Sequence, residues 1–328
     1  MHSITPLLRR LSRRAAATPG EMDPCLDAQE SYALWGAVLD GALPELELGA
    51  LLASFAIVGE STDELLGLHR ALAARQARFS PELARRAISI PVYGLLPGEA
   101  AFSVLLAVFL RRFDVPVVMH GPLDSAEGPS APVLLRELGV MPSATLADAE
   151  HDLRAAGIAF LPVQLLSPVL GDVLALRTRL GDINSAHLAA QALDPGAMGA
   201  VRLAMSVPAT PSGRIPPFLG ATGGEALLLS WPAGALPCNL AFRPRISFLS
   251  GGAETVEFEA EGVDGAVHAG LPAPAQLVPW LHAVIERRAP APVPLVNLAA
   301  ACVHAAGVAP DLTQAKAIVA LQSGRLAA

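Results

Sequence analysis

The hydrophobic positions of this chain change their period once, and the change divides it. From residue 25 to about 80 the spacing is helical throughout. Leu48, Leu51, Leu52 and Phe55 follow the opening Leu43-Pro44-Glu45, and Leu65, Leu68 and Leu72 follow Ser61-Thr62-Asp63-Glu64. The latter is a capping box, in which the serine side chain and the glutamate three residues on satisfy the first free amides of a helix. From about residue 88, short apolar runs interleave with helices. Ile88–Val92 predicts a strand, Ala100–Arg112 a helix, and Val115–Met119 a buried strand ending at His120-Gly121. A helix closes at Leu138-Gly139, with glycine in the C-cap role, and another leads to the strand Ile158-Ala159-Phe160-Leu161.

Helix returns over 172–192. Strands are expected near 200–206, 225–230 and 253–259, and closing helices near 275–287, 293–306 and 312–323. The Pro- and Gly-rich stretch 207–252 gives no assignment. Strands alternating with helices predict an α/β fold with a central, mostly parallel sheet covered on both faces. The expected organisation is a basic N-terminal arm (1–24), a small helical domain (25–80, joined by the helices of about 172–192) and a larger α/β domain (81–328).

Composition narrows the class. Of 328 residues, 52% are hydrophobic and 16% charged, which excludes general disorder. A mean hydropathy of +0.46 raises the question of a membrane. The longest uncharged stretch, Ala289–Pro310, has prolines at 290, 292, 294 and 310, which trim its helix to roughly fifteen residues, short of the ~20 a bilayer needs. It also carries Asn297 and His304, so a buried helix is expected. The pairs Arg9-Arg10 and Arg13-Arg14 could suggest an export signal, but Ala15-Ala16-Ala17-Thr18-Pro19-Gly20-Glu21 turns acidic before any apolar core develops. Cys25, Cys238 and Cys302 are far apart with no CxxC pair, so neither a disulfide framework nor a zinc site is indicated. Together these features predict a soluble protein of the cytoplasm, with no membrane partner.

Charge adds one refinement. The net value of −7 argues against a wholly basic nucleic-acid binder. Lys316 is the only lysine, and arginine clusters at 9–14, 85–86, 111–112, 243–245 and 287–288. Some of these clusters could share a face.

The layout from about residue 40 onward resembles anthranilate phosphoribosyltransferase. Gly41…Leu51-Leu52…Gly59-Glu60-Ser61-Thr62…Glu64 is similar to that family's first helical hairpin. Val117-Val118-Met119-His120-Gly121 is similar to its strand ending in Lys-His-Gly-Asn-Arg. Leu138-Gly139, Gly157–Leu161, Pro168, Arg177–Gly181, Val296–Ala300 and Gln322–Ala327 follow in family order. The resemblance implies the phosphoribosyltransferase fold and a dimer through the helical domain.

The same resemblance counts against the activity. Displacing pyrophosphate from a phosphoribosyl carbon needs a backbone cradle for phosphates, cations for their charge and carboxylates for magnesium. Where the family has Gly-Thr-Gly-Gly-Asp and Asn-x-Ser-Thr, this chain has a shorter Gly94-Leu95-Leu96-Pro97-Gly98-Glu99 and Ala101-Phe102-Ser103-Val104. Met119-His120-Gly121-Pro122-Leu123 loses the flanking cations, and Leu180-Gly181-Asp182-Ile183-Asn184 loses the arginine that meets the aromatic acid. Ser230-Trp231-Pro232-Ala233-Gly234-Ala235 lacks the acidic pair. Asn184-Ser185-Ala186-His187 followed by Leu193-Asp194-Pro195 is similar to the YbiB-type branch, which keeps the fold without the anthranilate activity. That branch implies a homodimer binding nucleic acid without sequence preference. Ile183, where the branch usually has arginine, and the acidic net charge are departures from it.

The candidate ligand residues are therefore Gly94, Gly98, Ser103, His120, Gly121 and Asn184. The nucleic-acid candidates are Arg9, Arg10, Arg13, Arg14, Arg111 and Arg112, each of which could add salt-sensitive affinity. His120 and Gly121 could face a phosphate or base at a strand end, or serve only the strand-to-loop turn. Ser103 could donate to a phosphate or satisfy its own helix. Arg111-Arg112 also complement a helix dipole. Glu99 and Asp182 are base or metal candidates without a visible partner carboxylate. His187 reads as a satisfied helix histidine, and Thr222-Gly223-Gly224-Glu225 as a turn into a strand. No catalytic residue, resident metal or cofactor is assigned. Two function classes follow. One is a degenerate homologue that binds nucleic acid or phosphate ligands; the other is a pentosyl transferase, using magnesium, on an unidentified substrate.

Overall fold

The computed structural model describes residues 4–16, 25–93, 99–125, 128–181, 183–205, 215–231, 240, 242–262 and 271–323. Four helices come first: α1 (Thr5–Ala16), α2 (Ala28–Leu39), α3 (Glu45–Val58) and α4 (Thr62–Arg75). α2 opens on an Asp27/Glu30 capping box and α4 on the expected Ser61/Glu64 box. Each box is worth about 1 kcal/mol to its helix. The expectation of a separate N-terminal arm is corrected by α1, which packs against α3 and buries Leu11 and Arg14. Leu11, Trp35, Leu51, Phe55 and Leu68 form the middle of one apolar cluster.

The α/β part follows as β1 (Ile88–Pro91), α5 (Glu99–Leu110) with a 3₁₀ turn over 111–113, β2 (Val117–Gly121), α6 (Ala131–Glu137), α7 (Leu146–Ala156) and β3 (Ile158–Pro162). The helices expected over about 172–192 are a series of short ones that begins earlier in the chain. They are α8 (Val163–Leu166), α9 (Pro168–Ala175), α10 (Arg177–Leu180) and α11 (Ser185–Gln191). Gly181, at φ +82°, closes α10 in the left-handed region, and Asn184 restarts the chain as the N-cap of α11. α9 and α11 contribute Leu170, Val173, Ala186 and Ala190 to the apolar cluster of α1–α4.

Then come β4 (Val201–Met205), α12 (Ile215–Thr222), β5 (Ala226–Ser230), β6 (Phe242–Arg243), β7 (Arg245–Ser250), β8 (Ala253–Phe258), β9 (Glu261–Gly262), α13 (Pro274–Ile285), α14 (Val293–Ala305) and α15 (Leu312–Ser323). The main sheet runs β3-β2-β1-β4-β5-β7-β8. Its first five strands are parallel, and β7 and β8 are added antiparallel. β7 lies in the stretch the sequence left unassigned. Gly251 and Gly252, at φ +58° and +82°, make the tight turn that pairs it with β8.

Alternation along the strands splits the core. Val117, Met119, Ile158 and Phe160 face α5, α14 and α15, while Val118, Ala159 and Leu161 face Phe79 and α7. α14 is the helix of the long uncharged stretch. It spans 13 residues and is almost wholly buried. Among the described residues no helix is long and apolar enough to cross a membrane.

Candidate functional site

Ligands of doubly wound sheets lie beyond the carboxyl ends of the strands, where the strand order reverses. Here the reversal falls between β1 and β4. Residues 94–98, 206–214 and 232–239 follow β1, β4 and β5 in the chain but lie outside the described residues, and Gly94 and Gly98 are among them; so does Asp182. What is described is a crevice between α5, the ends of β4 and β5, and α14. Glu99 and Ser103 line it from α5, with Phe102, Met205, Trp231 and Phe242 closing around them. Its free volume is about 20 Å³, room for roughly one water. Ser103 and Glu99 are both buried, 4% and 6% exposed. Among the described residues no three His, Cys, Asp or Glu side chains are grouped to hold a metal.

His120 is turned away from this crevice, on the opposite face of β2 from Met119. It is fully buried, with Nε2 3.0 Å from Ser89 Oγ and Nδ1 2.9 Å from the Tyr93 hydroxyl. Burial lowers its pKa to about 3, so the ring is neutral at ordinary pH. Both nitrogens are taken by the protein, which corrects the expectation that the imidazole faces a phosphate. Gly121 has a packing reason of its own: a Cβ there would lie 2.5 Å from Val92 Cγ2. Asn184 is a cap. Its Oδ1 accepts from the Ala186 amide at 3.0 Å and its Nδ2 donates to the Val173 carbonyl at 2.9 Å. His187 Nδ1 accepts from the Asn184 amide at 3.2 Å, completing that cap as the sequence suggested. The turn 222–225 enters β5, with Gly223 and Gly224 at φ +72° and +70°.

The arginines separate by use. Arg14 is buried against Glu64, donating to its two carboxylate oxygens at 2.5 and 3.2 Å and to the Gly59 carbonyl at 2.6 Å. The expectation that it touches nucleic acid is therefore corrected. Arg10 is ion-paired with Glu30, whereas Arg9 and Arg13 lie exposed on α1. Arg243 pairs with Glu261, Arg245 lies near Glu254 and Glu259, Arg86 pairs with Glu225 and Arg288 with Glu286. Arg111 and Arg112 line a groove of about 670 Å³ at the amino end of the sheet, together with Arg85 and Arg154.

Sequence reasoning missed a second polar pocket, of about 360 Å³, between α4 and the amino ends of β4 and β5. Buried Arg202 donates there to the Ala192 carbonyl (3.0 Å) and Thr222 Oγ1 (2.7 Å), and to the Gly223 carbonyl. His69 Nε2 meets the same Ala192 carbonyl at 3.2 Å, and burial, with the charge of Arg202 second, lowers its pKa to about 4. Nothing local in the sequence marks these residues, because all the partners are distant in the chain. The pocket ties the helical part to the sheet.

The sequence profile of the glycosyl transferase family, helical bundle domain, matches residues 6–75. The chain is 29% identical over 299 residues to YbiB of Escherichia coli (strain K12), covering 90% of this chain and 93% of that one. It is 29% identical over 184 residues to the anthranilate phosphoribosyltransferase of Methylocella silvestris, spanning 55% of this chain and 49% of the enzyme. The crystal structure of the anthranilate phosphoribosyltransferase of Thermus thermophilus superposes with a TM-score of 0.73 at 20% identity, over 97% of this chain and 94% of the other. The Saccharomyces cerevisiae enzyme in complex with PRPP and Mg gives 0.67 at 12% identity, over 97% and 93%. With the glycosyl transferase family's helical bundle domain over residues 6–75, a mostly parallel sheet and relatives of this kind, the chain has the fold of the anthranilate phosphoribosyltransferases and is similar in sequence to them and to YbiB.

Proposed function

We propose that this protein is a catalytically degenerate member of its family, a homodimer that binds nucleic acid or phosphate-bearing ligands and does not transfer phosphoribosyl groups. The observation that carries the reading is the crevice at the carboxyl ends of β4 and β5. Among the described residues, Phe102, Met205, Trp231 and Phe242 leave about 20 Å³ there, far below the several hundred Å³ of ordinary ligand sites. The residues that would neutralise pyrophosphate are replaced as well: Met119 and Leu123 stand where the family has cations. Losing one preorganised charge-stabilising group commonly costs a few kcal/mol in the transition state, and several are missing together.

Dimerisation is supported by α3. Leu46, Ala50, Ala53 and Ile57 recur at helical spacing on its solvent side, with Leu46 83% and Ile57 70% exposed. The YbiB-type segments 184–187 and 193–195 support the binding reading. Its test is fluorescence anisotropy of a labelled oligonucleotide titrated with protein at about 50 and 200 mM salt. Micromolar binding that collapses at the higher salt is the expected result. Absence of binding at both salts overturns the nucleic-acid reading, and magnesium-dependent consumption of phosphoribosyl pyrophosphate overturns the degeneracy.

A further inference from the structure

We infer that phosphodiester backbone is held not in the family's cleft but on the opposite edge of the sheet, in the groove of Arg85, Arg111, Arg112 and Arg154; this rests on the nucleic-acid reading above. Three loops build the groove, those entering β1, β2 and β3. They place four arginines against two carboxylates, Glu82 and Asp114, in a chain whose net charge is −7. A local excess of cation in an acidic protein is the electrostatic footprint expected of a phosphate-binding surface.

The state of those arginines carries the inference further. Most other arginine clusters are spent on carboxylates, as at Arg10, Arg14, Arg86, Arg243 and Arg288. Arg85 and Arg111, both exposed, have no ion pair or side-chain hydrogen bond among the described residues. Arg112 is half-buried and held in place: it donates to the Ile285 carbonyl and lies 5.2 Å from the centre of the Phe109 ring. Burial first, and the like charge of Arg287 second, lower its pKa. A bound phosphate would offset both effects with an opposite charge. Arg154 has only a loose contact with Glu150, at 3.7 Å.

The walls also set the character of binding. Apart from Glu82 and Asp114, the lining between the arginines is aliphatic, from Leu83, Val108, Val115 and Pro116, and among the described residues it has no aromatic ring and no amide or hydroxyl side chain. The groove therefore has no stacking platform for bases, and its two carboxylates, Glu82 and Asp114, repel phosphates, so arginine–phosphate contacts dominate. Affinity comes mainly from phosphate contacts, with a steep salt dependence.

The experiment is a salt titration of a labelled dT20 oligonucleotide and of a 20-base-pair duplex. The proteins are the wild type, Arg85→Ala/Arg111→Ala, Arg85→Lys/Arg111→Lys, and Arg9→Ala/Arg13→Ala on α1, with circular dichroism confirming the fold of each. For single strands the log–log salt slope should become shallower by about 1.4, roughly 0.7 per lost contact. Affinity at 50 mM salt should fall about tenfold or more in the alanine groove variant. The lysine variant should keep most of the binding, and the α1 variant should match the wild type. If the wild type binds but the groove variant keeps its affinity and slope, the groove assignment is wrong while the binding reading stands. If the wild type binds neither oligonucleotide, the binding reading itself fails.

Discussion

Two buried ionisable clusters show how far single residues can be read. Glu64 is legible as the closing member of a capping box, because its partner Ser61 is three residues away. That Glu64 also holds Arg14 and accepts from the Leu26 amide at 2.9 Å is not legible, since both partners arrive only through folding. His120 stands out because it ends a strand, but whether its ring meets solvent or Ser89 and Tyr93 depends on the pleat and on the helical part above it. Its chemistry makes a prediction. The folded-state pKa of about 3 lies below the ordinary 6.5, so on acidification the unfolded chain takes up a proton that the folded protein refuses. The stability contributed by the neutral ring is complete above about pH 6.5 and is lost as pH falls toward 3, by about 1.4 kcal/mol per unit. His69, lowered to about 4, acts with the same sign. Urea unfolding between pH 7.5 and 5, a range mostly above carboxylate titration, should show stability falling with acid by nearly two protons' worth. In His120→Asn the slope should drop by one proton, whatever the variant's absolute stability. An unchanged slope would mean that the folded imidazole is already charged.

Helices and strands with strong local signals are the legible elements. α3, α4, α5, α14 and α15 lie close to their expected bounds because period and caps agree. α9 to α11 are legible as helix over about 172–192 but not in their bounds, because the breaks depend on caps at Ser167 and Asn184 and on the left-handed Gly181. β7 escapes the reading although Gly251-Gly252 between two β-prone runs is a hairpin signal. Helix contact distance is not legible at all, and Gly67 shows why it matters. A Cβ at Gly67 would stand 2.5 Å from the Ala28 carbonyl oxygen and 2.7 Å from the Tyr32 amide nitrogen, so α2 and α4 touch backbone to backbone. Gly220, in α12, has open space in the same direction. The same substitution should therefore have opposite signs. Gly67→Ala should destabilise by about 1–3 kcal/mol through overpacking, even after the gain in helix propensity. Gly220→Ala should stabilise by about 0.5–1 kcal/mol. Thermal unfolding of the two variants checks both, and a stabilised Gly67→Ala would show that the helices can separate without cost.

At the scale of the whole molecule the sheet has two unlike ends. The carboxyl end carries the small apolar crevice and the amino end the arginine groove. The fold is legible because it rests on periodicity, but this polarity is not, because Arg85, Arg111 and Arg154 come together only when β1, β2 and β3 lie side by side. A third surface, the outer side of α3, sits on the helical part and belongs to neither end. Its charges, Glu45 and Glu47, are confined to the first turn, and from Leu48 to Val58 the helix has none. A monomer would leave Leu46 and Ile57 to water, at about 25 cal/mol for each Å² that a second copy could cover. The self-complementary way to cover such a stripe is a two-fold pair of α3 helices. The wild type should then have twice the 33.9 kDa chain mass by light scattering at micromolar concentration. Leu46→Glu/Ile57→Glu should give the single-chain mass with an unchanged far-ultraviolet circular dichroism spectrum, because neither side chain contributes to the core of the helical cluster. A wild type that stays at single-chain mass would remove the homodimer. A double variant that stays dimeric would move the interface to another face of the helical part.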